Sequence, residues 1–158
     1  MTQEQLKRIA EDPKAFLERG KKLSVHIDAR ISAKSARIQE WRRRAESITA
    51  ELKDDGGTSG GGPSKLVETA VCNIVDLENE IRFELQELSD ARQEAETAIN
   101  EFVEDMSQKA VLELRYLNDY TWEVIACRLH FAERWVRRLH GTALEVMRQE
   151  ALSSPCTD

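Results

Sequence analysis

Five of the chain's seven glycines fall within Gly56–Gly62, in the run DDGGTSGGGPS, and only three prolines occur in 158 residues. Glycine and proline punctuate regular backbone. A chain with so few of them outside that run leaves two long stretches free to be helical. On both sides of that run apolar residues recur at helical spacing and almost nowhere alternate, which predicts an all-α protein without a sheet. Charged residues make up 33% and aromatics 6%, a balance that suits long solvated helices better than one thick core.

From Lys21 to Lys53, Ile27, Ile31, Ile38, Trp41, Ala45, Ile48 and Leu52 fall at alternating steps of four and three once Lys34 is admitted. Such a stripe belongs to a helix packed lengthwise against another. A second helix is expected from Pro63 to about Met106, with Val67, Ala70, Val71, Ile74, Leu77, Ile81, Leu85, Leu88, Ala95, Ile99 and Phe102 on one face. Its other face carries Glu68, Asp76, Glu80, Glu87, Glu94 and Glu101, a solvated acidic side. The glycine-rich connection over 54–64 then implies a long antiparallel, coiled-coil-like helical hairpin over 21–108. A phosphate-binding loop is excluded there, because Pro63 stands where that loop needs lysine and no strand precedes it. The apolar stripe around Ile74–Leu88 is wider than two helices need, so a homodimer or higher homo-oligomer is expected. Ahead of the hairpin, residues 1–20 read as a helical arm that folds back. Thr2–Ala10 forms one helix, Asp12 caps the next with Pro13 at its first position, and Gly20 breaks the run.

The stretch Gln108–Met147 reads as three short helices, the last two forming a helix-turn-helix within 109–150, with a disordered tail over 151–158. Ile125, Ala126, Leu129, Val136 and Leu139 supply its core, Ala126 being small where two helices cross. Phe131 is expected to plug the corner. Thr121 is placed to cap the first of the pair. Cys127 is expected to pack inward beside Ala126, and Trp122 and Trp135 to serve core and corner packing. The side chains left pointing outward are Ala132, Glu133, Arg134, Arg137, Arg138 and Gly141. Three are arginines, whose forked donors suit phosphates and guanine edges.

The segments Leu114–Leu117, Thr121–Glu123, Ile125–Ala126, Arg134–Val136, Leu139–Gly141 and Ala143–Leu144 resemble the region 4 DNA-binding module of sigma-70-type factors. They are closer still to phage-encoded small regulators described as RinA-like or ArpU-like. The resemblance implies a DNA-binding phage or prophage transcription regulator with its recognition helix over about 132–147. Two departures stand out. Ala132 occupies a position where serine or threonine commonly caps, a loss of about 1 kcal/mol. His130 occupies the usual turn glycine, and histidine tolerates positive φ better than most residues.

Net charge is −6, but between Lys109 and Arg148 seven basic and five acidic residues give +2, leaving −8 elsewhere. An acidic body with a mildly basic end directs that end towards DNA. Glu133, Arg134, Arg137 and Arg138 are the candidate base readers, and Lys109, Arg128 and Arg148 the candidate phosphate contacts. The cluster Arg37, Arg42, Arg43, Arg44 reads as a solvated helix face paired with glutamates of the facing helix. Glu78, Glu80 and Glu84 likewise read as water-facing, since a di-metal bundle needs inward Glu-x-x-His and His26, His130 and His140 lie elsewhere. The three cysteines (Cys72, Cys127, Cys156) form neither a disulfide framework nor a zinc pattern.

No catalytic constellation, metal or cofactor is expected, and with no apolar leader or membrane span the chain reads as a soluble protein of a bacterial host's cytoplasm. Its partners are expected to be double-stranded DNA and a second copy. The alternatives are a sigma-like or anti-sigma adaptor that docks on RNA polymerase, or the DNA-recognition subunit of a packaging complex.

Overall fold

The computed structural model describes residues 1–54 and 62–154, and among them every regular element is helical. The expected glycine-rich loop falls mostly on 55–61, outside the described residues. Helix α1 (Gln3–Glu11) starts at a capping box: the Thr2 hydroxyl accepts from the Gln5 N–H at 3.3 Å, and the Gln5 side chain accepts from the Thr2 N–H at 2.8 Å. Helix α2 (Pro13–Asp54) starts where expected, the Asp12 carboxylate accepting from the Ala15 N–H at 2.9 Å. Helix α3 spans Gly62–Phe102. Then come α4 (Met106–Leu112), a π-helical turn (Glu113–Leu117), α5 (Trp122–Leu129) and α6 (Glu133–Ser153).

Gly20 does not end a helix. It lies buried inside α2, where an added Cβ would stand 3.3 Å from Arg92 Cγ of α3. A mid-helix glycine costs roughly 0.5–1 kcal/mol, and close approach of the neighbouring helix is what it allows. The arm therefore continues into the hairpin without a break. Nor is the chain's end a tail from 151 onward: α6 persists to Ser153 and Ala151 is buried.

Contacts divide the chain into two compact units, one comprising Met1–Ser24 with Leu88–Asp158, the other Val25–Glu87. In the second, burial on α3 recurs every seven residues, at Ala70, Leu77 and Glu84, against buried Ile27 and Ile38 of α2. Val71 and Leu85, expected on the seam, are exposed, because that spacing places them on its flank. The helices run antiparallel: Arg30 and Lys34 meet Glu84, and Arg42 meets Glu78 at 3.1 Å.

Glu84, expected to face water, is 2% exposed and the one buried charged residue among those described. Its Oε1 accepts from Lys34 Nζ at 2.7 Å and faces the Arg30 guanidinium at 2.6 Å, while Lys34 also meets Glu80 at 2.8 Å. Hydrogen bonds to Glu80 first and Glu84 second hold the Lys34 ammonium above the ordinary lysine range, and the same bond pulls the Glu80 carboxyl below its own. A buried carboxylate persists only when paired. Of the arginine cluster, Arg42 pairs across the hairpin as expected, while Arg43 and Arg44 pair within α2, on Glu40.

In the first unit a continuous core joins arm, hairpin base and C-terminus: Ile9, Phe16 and Leu17 pack with Ile99, Phe102 and Val103, and with Leu112, Ala143 and Met147. The C-terminal helices thus share a buried core with the arm and the base of the hairpin. On the acidic side of α3, Glu94 is tied to Arg19 at 2.8 Å rather than merely solvated.

Candidate nucleic-acid interface

Asp105 opens α4, its carboxylate accepting from the Gln108 N–H at 2.8 Å. The π-helical turn ends α4 and brings Tyr116 inward, where it is buried. A small core then forms from Val111, Ile125, Ala126 and Val136, with Leu114, Tyr120, Trp122, Leu129 and Leu139 packed around it. Of the expected core residues, Ile125, Ala126 and Val136 are buried, and Leu129 and Leu139 are partly buried against them. Val111, Leu114 and Tyr120 join them from α4, the π-helical turn and the connection to α5, too far along the chain for helical periodicity to connect.

Between α5 and α6, His130 adopts φ 55° and ψ 37°. Its N–H donates to the Cys127 carbonyl at 3.3 Å, and the Phe131 N–H donates to Ala126 at 3.0 Å. These two bonds close α5 with a left-handed residue in the place glycine usually holds. Ala132 then begins α6 in extended conformation with no side-chain cap, as its chemistry requires. Thr121 holds the corresponding position of α5, yet its hydroxyl makes no capping bond.

On α6, Val136, Ala143 and Met147 are buried, and at about 100° per residue the opposite sector carries Arg134, Arg138, Gly141 and Glu145. Arg134, Arg137 and Arg138 are all exposed. Their environments differ. Arg137 donates through Nε at 2.9 Å and a terminal nitrogen at 2.6 Å to one oxygen of Glu133, and lies 5.2 Å from the centre of the Trp122 ring. Arg138 lies 5.5 Å from the Trp135 ring centre. Arg134 has no ion pair or ring contact among the described residues.

The expected phosphate contacts are dispersed. Lys109 is half-buried on the last turn of α4. Arg128 is exposed with its guanidinium 4.4 Å from the Tyr120 ring centre. Arg148 faces Glu145 at 3.4 Å, and its Nε is buried without a partner among the described residues. Arg115, not singled out from the sequence, donates to the Tyr120 carbonyl at 2.9 Å and stacks 4.5 Å from the Trp122 ring centre. It ties the π-helical turn to the start of α5. Lys21 and Asp119, the latter at φ 57°, meet at 3.2 Å just before that helix.

Three expected packing roles are not met. Cys127 is exposed, because it falls a third of a turn past Ala126 on α5. Phe131 is 38% and Trp135 44% exposed, since Val136, not Trp135, takes the inward position on α6. Trp122 does pack, against the small core and edge-on to His140 at 4.9 Å.

Residues 105–149 match the family model for Sigma-70, region 4. The C-terminal module is a sigma-70 region 4-like helix-turn-helix. The match ends within α6 and leaves α1, α2 and α3 outside it. Comparisons with curated proteins and with solved structures returned no match. Region 4 is a DNA-binding regulatory module and not a catalytic one. Among the described residues of the region 4-like module and the rest of the chain, no cluster of side chains has a metal-binding arrangement, and no helix is long and apolar enough to cross a membrane.

Proposed function

We propose that the protein is a sequence-specific DNA-binding transcription regulator that lays the first turns of α6 in the major groove. The observation that carries this reading is the exposure of Arg134, Arg137 and Arg138 on the helix after the turn of a region 4-like module. A groove-facing helix presents its N-terminal residues to base edges, and arginine takes guanine O6 and N7 in a bidentate grip. Arg134, unencumbered, is the primary reader. Arg138 reads beside it. Arg137 engages only after leaving Glu133, and Glu133, once released, accepts from a cytosine amino group. Arg128, Lys109 and Arg148 meet phosphates and set register. The resemblance of the same segments to phage-encoded regulators supports a phage or prophage origin, hence work in a bacterial host's cytoplasm.

The hairpin segment Val25–Glu87 serves assembly in this reading: Val71, Val75 and Leu85 leave apolar surface along the flank of α3, suited to a second copy. The operator of a two-fold dimer has two half-sites related by a dyad and spaced by whole helical turns. A second reading, docking on RNA polymerase, draws on the same region 4 match and on exposed Val124 of α5.

Selection of bound duplexes from random DNA tests the proposal, with the triple alanine variant at Arg134, Arg137 and Arg138 as control. A motif enriched by the natural chain and lost by the variant is expected. Absence of enrichment, with capture by polymerase core instead, contradicts it.

A further inference from the structure

The sector of α6 that turns outward is not purely cationic. Trp135 stands at its edge, 44% exposed, in the first turn of the helix, and Phe131 is exposed four residues earlier at the turn. The inward side of α6 is already filled by Val136, Ala143 and Met147, so the indole is surplus to the core. Arg138 sits one turn further on with its guanidinium 5.5 Å from the indole centre. That contact steers a forked donor and an apolar face to one side of the helix.

The geometry points to Trp135 as a reader of the thymine 5-methyl group, next to a guanine taken by Arg138. This rests on the proposed entry of α6 into the major groove. There the thymine methyl is the apolar mark among base edges, at the position where cytosine carries only a hydrogen. An exposed ring in the first turn of a groove-facing helix is at the depth where base edges are read. A protein partner is the poorer fit, because covering Trp135 would also strip water from Arg138 beside it, and a charge buried unpaired is costly. The groove gives both side chains what they lack: acceptors for the guanidinium, a methyl for the ring.

The test replaces thymine by deoxyuridine, one position at a time, in the duplex recovered by selection. Deoxyuridine keeps every hydrogen-bonding group and removes only the methyl. For the natural chain, one position beside a guanine loses about fourfold in affinity, the worth of one buried methyl. Trp135→Ala abolishes the difference between thymine and deoxyuridine there, while Trp135→Phe retains part of it and controls for folding. Indifference of the natural chain to deoxyuridine at every position overturns the inference. So does undiminished methyl discrimination by Trp135→Ala, including the case in which that variant loses only polymerase capture. Failure of the underlying reading is distinct: the natural chain then shows no salt-dependent binding to any duplex, methylated or not.

Discussion

The Tyr116 hydroxyl and His140 Nε2 share a hydrogen bond of 2.8 Å, joining the π-helical turn to the middle of α6. Burial first, then the positive charges of Lys14 and Arg115, push the His140 pKa down to about 4, and burial raises that of Tyr116. Both groups are therefore neutral at physiological pH. The unfolded chain binds a proton at His140 near pH 6.5 and the folded chain only near 4. Its contribution to stability is complete above pH 6.5, falls as pH drops through that window, and is gone below about 4. Since the ring is only partly buried, the loss is about 1–2 kcal/mol rather than the full shift. Urea unfolding of the natural chain and of His140→Gln at pH 7 and pH 4.5 measures it. The variant should lose less stability than the natural chain between the two.

Ala132 leaves the first N–H groups of α6 without a side-chain partner. Its backbone is already extended, at φ −69° and ψ 140°, the conformation a capping residue adopts. Ala132→Ser should therefore stabilise the fold by about 1 kcal/mol, seen as a rise in the urea midpoint at unchanged m-value. A fall in midpoint would mean that the exposed turn cannot orient the hydroxyl.

Lys34 and Glu84 form a polar pair inside an otherwise apolar seam. Removing Lys34 leaves buried Glu84 with only the largely exposed Arg30 to pair it; removing both partners leaves no buried charge. Lys34→Met alone should lower the thermal midpoint by roughly 5 °C or more, and Lys34→Met with Glu84→Leu should recover most of it. If the pair also fixes register, the double variant gains stability while its cysteine cross-linking pattern across the hairpin broadens. Equal loss in the single and double variants would show that packing alone, not charge, holds this position.

What the sequence disclosed was whatever local spacing determines. Asp12 as a cap, His130 in a left-handed turn and Ile125 facing Val136 all follow from neighbours within one or two helical turns. What it hid depends on contacts between distant segments. Glu84 looks like any solvated glutamate until Lys34 is laid opposite it, fifty residues away. Gly20 reads as a breaker because its neighbour Arg92 is far along the chain. Trp135 and Val136 are adjacent and both apolar; spacing places Val136 inward, but that Trp135 is left out of the packing follows from the phase of α6, set at Ala143 and Met147. The same phase places the arginines outward, which is why the candidate interface was legible although its flanking ring was not.

In the proposed function α6 reads bases through Arg134 and its neighbours. The measurement that tests it most directly is binding of Arg134→Ala to the selected duplex and to a scrambled one, across a salt series. The expected result is a loss of about 1–3 kcal/mol on the selected duplex, little change on the scrambled one, and an unchanged salt slope. Equal loss on both duplexes, with the slope reduced by about one, would make Arg134 a phosphate contact and contradict the account.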